Sequence, residues 1–154
     1  MNTRFVVATH ILAYLARANG QPVSSEVVAK SAGTHPVVVR RLLGDLRRAG
    51  LVRTQLGTGG GALLNRPVES ITLLDVLHAM LEPEADLFAV NNANPNTGCD
   101  VGRVISDSLD DLLGPAKKAM QAALAAVPLT EVIRQIRLRL HNEDCGCSAD
   151  DGTS

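Results

Sequence analysis

Between residues 24 and 65, glycine and proline divide the chain into a pattern that few folds satisfy. Ser24 or Ser25 can N-cap a short helix in which Val27, Val28 and Ala29 are available for packing. The capping box is missing, because the third residue after Ser24 is Val27 and not Glu or Gln. Ala32-Gly33-Thr34 is a tight break, and Pro36 suits the first turn of a new helix, where its missing N–H costs little. That helix carries Arg40, Arg41, Arg47 and Arg48, runs to Ala49 and stops at Gly50. Two short helices split by a glycine-containing turn, the second rich in arginine, form a helix-turn-helix pattern. Leu51 to Leu56 then reads as a strand, Gly57-Thr58-Gly59-Gly60-Gly61 as a tip, and Ala62 to Asn65 as the returning strand. Apolar β-formers flank the tip on both sides, which favours a hairpin wing over a flexible linker. The glycines match neither Gly-x-x-x-x-Gly-Lys-Ser/Thr nor Gly-x-Gly-x-x-Gly, and no helix follows at once, so a nucleotide loop is excluded.

The flanking segments are helical by pattern. In residues 4–19, Phe5, Ala8, Thr9, Leu12, Leu15 and Ala16 trace one face, and Asn19-Gly20 is a stop. The same stretch imitates a secretory leader, with Arg4 before an apolar run and Ala16-Arg17-Ala18 after it, but His10 interrupts the run. Gln21-Pro22 is a connector. A short helix is expected from Ile71 to Leu81, with Ile71, Leu74, Leu77, His78 and Leu81 on one face and Thr72 to Asp75 helping its start. His78 reads as a half-buried helix-face histidine and not a ligand, because no matched ligand spacing surrounds it. Asn91 to Gly98 is a loop by composition.

Val101, Val104, Ile105, Leu109, Leu112, Ala116, Ala119, Met120, Ala123, Leu124 and Val127 recur at steps of three and four. Gly114-Pro115 should kink or split this helix. Its apolar stripe is wider than one partner helix needs, which points to a homodimer. Leu129 to Leu140 is a last helix. The expected architecture is mainly α with a small β-hairpin: a winged helix-turn-helix domain over 1–82, a sensing loop and dimerisation helices over 83–141, and a mobile tail over 142–154.

Composition narrows the function. Aromatic residues are 2% of the chain (Phe5, Tyr14 and Phe88, with no Trp), too few for a surface that stacks single-stranded bases. Three cysteines make no disulfide framework, and no apolar run approaches the ~20 residues that span a bilayer. A cytoplasmic location is expected. The formal net charge of −1 hides an asymmetry. Residues 1–66 hold nine basic side chains and two acidic ones, Glu26 and Asp45, a net of +7; residues 67–154 hold six basic and fourteen acidic ones, a net of −8. The first half suits nucleic acid and the second suits another task.

From residue 33 onward a specific resemblance emerges. Gly33-Thr34-His35-Pro36-Val37-Val38-Val39-Arg40-Arg41-Leu42-Leu43 is followed by Leu46-Arg47-Arg48-Ala49-Gly50-Leu51-Val52 and Gly57-Thr58-Gly59-Gly60-Gly61. Arg66-Pro67, Ile71-Thr72-Leu73 and Asp75-Val76 complete the order. This succession resembles the bacterial winged-helix regulators that include IscR, NsrR and CymR, and Pro36 to Arg41 is most similar to the YwnA-like branch. The resemblance implies a dimeric winged helix with a long dimerisation helix, acting in transcription regulation. The iron–sulfur members place three cysteines before and at the start of the long helix; this chain has only Cys99 there, with Cys145 and Cys147 far away. No cofactor is therefore expected. Leu56 stands where many members have an arginine before the wing tip, and Arg40 stands where some have an acidic base-reading residue.

In a winged helix the second helix of the motif enters the major groove N-terminal end first. His35, Pro36, Val37, Val38 and Arg40 would then lie nearest the bases of double-stranded DNA, with Arg41 to one side. Adjacent helix positions sit ~100° apart, so one arginine would read guanine and the other grip phosphate, the assignment being open. Val39, Leu42, Leu43 and Leu46 would face the core. Ser24, Ser25 and Thr34 can donate to phosphates, and Arg53, Thr58 and Gly59 are the wing's contacts. Acting as a repressor on an inverted repeat would suit such a dimer, with a thiol or small-molecule signal.

Cys99, at the start of the long helix, is either a redox-sensing thiol, favoured as thiolate by the helix N-terminus, or a small buried apolar residue. An enzyme using Cys99 with His78 or His141 lacks a base or oxyanion motif. A metal-responsive alternative would use His141, Cys145 and Cys147, with Cys99 joining, but Cys-Gly-Cys is not Cys-x-x-Cys.

Overall fold

The structure is a computed structural model that describes residues 3–81 and 99–145. Phe88, the loop expected at 91–98, most of the tail and Cys147 lie outside the described residues. The order is α1 (Thr3–Arg17), α2 (Ser25–Ala32), α3 (Pro36–Arg48), β1 (Val52–Gln55), β2 (Gly61–Leu64), a short 3-10 turn (Val68–Ser70), α4 (Leu73–Met80), α5 (Asp100–Ala125) and α6 (Leu129–Cys145). The chain is thus mainly α with one antiparallel hairpin, as its sequence predicts.

The leader-like stretch is the central helix of the core. Ala8, Ile11, Leu12, Ala13 and Leu15 of α1 are buried, and α1 packs against α3 and α4. Fully burying a Leu or Ile side chain contributes roughly 1.5–3 kcal/mol, so the buried Ile11, Leu12, Leu42 and Leu46 contribute most to the packing of α1 on α3. Asn19 and Gly20, at φ +49° and +80°, turn the chain out of α1. Ser24 caps α2 by accepting from the Val27 N–H, and Gly33 at φ +60° ends it. Val28 and Ala29 are buried while Val27 is exposed.

His35 caps α3, its Nδ1 accepting from the Val37 N–H at 3.2 Å. Val39, Leu42 and Leu46 face inward, and Leu43 is half-buried against the same core. Asp45 joins them at only 7% exposure. It accepts from Arg4 Nη2 at 3.0 Å and from Arg48, which ties the start of α1 to the last turn of α3.

The hairpin pairs Val52 with Leu64 and Gln55 with Gly61. A third segment joins it. Val23, expected only to follow a connector, exchanges backbone hydrogen bonds with Ala62 at 3.0 and 2.8 Å. This contact explains Gly61: a Cβ there would sit 2.5 Å from the Val23 carbonyl oxygen.

α4 begins with a capping box between Thr72 and Asp75. Its buried face is Val76, Leu77 and Met80, with Leu74 half-buried. His78, expected to be half-buried, is exposed, because the core meets α4 along the 76–77–80 line and His78 falls beyond its edge. Of the kink or split expected at Gly114-Pro115, the split does not occur: α5 continues as one helix with Pro115 inside it. Proline removes one bond to the carbonyl four residues earlier; Asp111 is exposed, so water can satisfy that group. α6 starts against α4: the Leu129 N–H donates to Ile71 and the Leu73 N–H to Val127, at 2.8 and 3.0 Å. Leu129 and Ile133 close the core, and the helix continues to Cys145, beyond the Leu140 expected.

Candidate nucleic-acid interface

The basic half converges on α3. With its inner row spent on the core, α3 turns Val37, Val38, Arg40, Arg41, Arg47 and Arg48 to solvent. Val37 is 57% and Val38 43% exposed, which is unusual for valine in a helix that also has a fully buried face. Capping by Nδ1 leaves Nε2 of a neutral His35 ring as its donor. The first turn of α3 therefore offers a histidine donor, a proline and two valines at its tip, with guanidinium groups behind.

Ser24 and Ser25 lie at the start of α2, and Thr34 in the turn between the helices. Arg40 reaches across that turn. Its Nε donates to Ser25 Oγ at 3.1 Å and its Nη2 donates to Glu26 Oε1. The Glu26 carboxyl is held below the usual carboxylate range by its own backbone N–H, then by Arg40 and by Ser25. Arg41, one residue on and about 100° round the helix, takes no part in this cluster.

A cleft of about 260 Å³ opens between α3 and the hairpin, lined by Ser25, Arg40, Gly44, Arg47 and Thr54 among others. Arg47 and Thr54 were not singled out from the sequence. The signal for Arg47 was its spacing of seven from Arg40, two helical turns on the same face; Thr54 depends on the hairpin's position and had none. Arg53 alternates to the other side of β1, where it shares a groove with Leu15, Gln21 and Arg66. It is not brought together with Ser25 and Arg40. Thr58 and Gly59 stand exposed at the wing tip, and Gly59 meets Ser24, Arg17 and Tyr14 around a second, larger groove. Cys99 lines none of these grooves and is exposed at the N-cap position of α5.

Comparison with known proteins places this geometry. Residues 1–135 match the Rrf2 family, described as "Iron-dependent Transcriptional regulator". The chain belongs to the Rrf2 family. YwnA of Bacillus subtilis, whose name assigns it to the HTH-type transcriptional regulators, is 37% identical over 88% of this chain and 98% of its own length. Protein rrf2 of Nitratidesulfovibrio vulgaris is 30% identical over 90% of this chain and 89% of its own. The solved structure of CymR, the global cysteine regulator of B. subtilis, has a TM-score of 0.65 at 20% identity, covering 88% of this chain and 96% of that one; it supports the fold alone. The protein is a DNA-binding transcriptional regulator and not an enzyme.

Among the described residues, the iron in the Rrf2 family's description finds no matching donor group. Iron–sulfur clusters are usually held by four cysteine thiolates. The whole chain has three cysteines, and the described residues contain no group of three or more His, Cys, Asp or Glu side chains able to hold a metal ion. Cys99 begins α5 and Cys145 ends α6. These residues do not fit the group. Among the described residues no helix is long and apolar enough to cross a membrane.

Proposed function

We propose that two copies of the chain join through α5 and set two α3 helices on an inverted repeat in double-stranded DNA, acting as a repressor. The observation that carries this reading is the bare apolar row of α5. Val101, Val104, Ile105, Leu109 and Leu112 recur on one face at 65, 47, 42, 36 and 75% exposure. A contiguous row of this kind marks an interaction surface. A twofold partner would cover it, and twofold symmetry in the protein matches an inverted repeat in the DNA.

On this reading His35, Pro36, Val37, Val38, Arg40 and Arg41 approach the major groove. Ser24 and Thr34 donate their hydroxyls to phosphates and Ser25 its backbone N–H at the start of α2, while Arg53, Thr58 and Gly59 contact DNA from the wing. Arg47 joins them from the cleft beside Arg40. Cys99 is the redox-sensing thiol: oxidation there adds bulk and polarity to the helix that forms the interface and alters the spacing of the two α3 helices.

The test is selection of bound duplexes from a random pool, with and without reductant, followed by binding to the selected site. An inverted repeat is expected, with affinity falling steeply as salt rises, because the +7 half must displace counterions. Arg40→Ala with Arg41→Ala should weaken the specific complex, while Lys118→Ala, in the acidic half, should change little. Cys99→Ser should abolish any response to mild peroxide. Equal losses from the arginine pair and Lys118 refute the surface; an identical peroxide response in Cys99→Ser refutes the sensor.

A further inference from the structure

The arginines at 40 and 41 are equivalent in composition, yet their surroundings differ. Arg40 is held by one edge. Its Nε–H goes to Ser25 Oγ at 3.1 Å, its Nη2 goes to Glu26 Oε1, and Ser25 Oγ itself donates to Glu26 Oε2 at 3.2 Å. The two acceptors are joined side by side at the first turn of α2. A guanidinium has five N–H donors on a rigid fork. The Nε/Nη2 edge is spent here; the opposite edge, shared by Nη1 and Nη2, keeps two parallel donors. That is the geometry required by O6 and N7 of guanine in the major groove.

We propose that Glu26, with Ser25, is a specificity-determining positioning residue that fixes Arg40 as the guanine reader and leaves Arg41 to the phosphates. The proposal rests on the reading that α3 enters the major groove. A second observation supports it. The basic half has two acidic residues, and Asp45 is buried between Arg4 and Arg48. Glu26 is therefore the one carboxylate that this half exposes, at 58% of its side chain. On a surface built to meet phosphates, an exposed carboxylate opposes binding to every sequence. Holding Arg40 in one orientation offsets that repulsion only at sites with guanine in register, so Glu26 weakens binding in general and sharpens it at one base.

The test uses the full chain and the best duplex from random-pool selection. At each guanine of that duplex, affinity is compared with adenine and with 7-deazaguanine, which lacks the N7 acceptor. Wild type should prefer guanine by about tenfold or more at one position per half-site, the usual size of a bidentate contact. Arg40→Lys should erase this preference and Arg41→Lys should keep it. Glu26→Ala should lower it several-fold while binding to random-sequence duplex is unchanged or stronger. Glu26→Gln, which keeps an acceptor, should restore part of it, and Ser25→Ala should lower it as a second, independent variant. Circular dichroism confirms that each variant is folded. A full guanine preference in Glu26→Ala, or a preference erased by Arg41→Lys instead of Arg40→Lys, overturns the proposal while leaving the groove-entering role of α3 standing. If wild type selects no sequence at all, that role falls and the proposal with it.

Discussion

Asp45 and Asp75 are carboxylates that hold the winged helix together, and each makes a different prediction. Asp45 sits at 7% exposure between Arg4 and Arg48, so it anchors the C-terminal turn of α3 to the start of α1. Asp45→Ala removes charge-assisted hydrogen bonds while both arginines can still reach water. A loss of about 1–3 kcal/mol is expected in urea unfolding, with no new unfolding step. Asp75 reports on pH. Burial pushes its carboxyl up, but the Thr72 N–H and hydroxyl, with Arg66 beside them, outweigh that and hold it below the ordinary value of 3.8. A carboxylate lowered on folding contributes stability that is complete above its unfolded pKa and is lost as pH falls through the folded one. NMR titration should therefore show Asp75 protonating on the acid side of a free aspartate. Thr72→Ala should move it back toward 3.8 and cost about 1 kcal/mol through the lost cap.

At the scale of elements, local signals were legible and contacts between elements were not. Ser24 as cap, Gly33 as stop, Pro36 in a first turn and Thr72 with Asp75 all act within a few residues, so their types alone announce them. The hairpin was legible for the same reason. What escaped depends on residues distant in sequence. Val23 pairs with Ala62 only because α1 and α2 bring it there. Asp45 reads as one more surface charge until Arg4 arrives from α1. His78 fits an apolar stripe, yet the core meets α4 one step round the helix. Pro115 looks like a breaker, but an exposed helix can leave the freed carbonyl to water. The solvent-facing side chains of α3 were largely visible as the non-core positions of an arginine-rich helix, whereas Arg47 and Thr54 line a cleft with Arg40 only once the wing is in place. The Val23 bridge gives the next prediction. Gly61→Ala puts a Cβ 2.5 Å from the Val23 carbonyl oxygen, against backbone that cannot yield cheaply. Overpacking of this kind costs about 1–3 kcal/mol. Hydrogen exchange should show the Ala62 amide losing protection first, and DNA affinity should fall with it because Val23 also positions Ser24. Gly59→Ala, at φ +76° but in open space, should instead strain only the tip and leave the Ala62 amide protected.

The whole molecule divides its labour along its charge. The +7 half places four of its eight arginines on α3, and the −8 half carries the exposed apolar row of α5. A surface that binds DNA gains from concentrated positive charge, but two copies of it repel each other. The proposed self-association surface lies in the acidic half, which would separate the two demands. On the proposed reading, association through α5 would act on DNA affinity by linkage: each α3 would bind a half-site, and joining them would make the second contact intramolecular. This yields a prediction in which fold and function come apart. Leu112 is 75% exposed and Val101 65%, and neither belongs to the core of the described residues. Leu112→Glu with Val101→Glu should therefore leave thermal unfolding of the winged helix nearly unchanged, since exposed substitutions usually move stability by no more than about 0.5 kcal/mol. Sedimentation should show the variant as a monomer where wild type is a dimer. Its affinity for an isolated half-site should match wild type, while its affinity for the full inverted repeat should drop by roughly 10²-fold, the low end of what linking two sites contributes. A variant that stays dimeric would move the interface off this face of α5, and a monomer that binds the full repeat as tightly as wild type would show that the two half-sites are read independently.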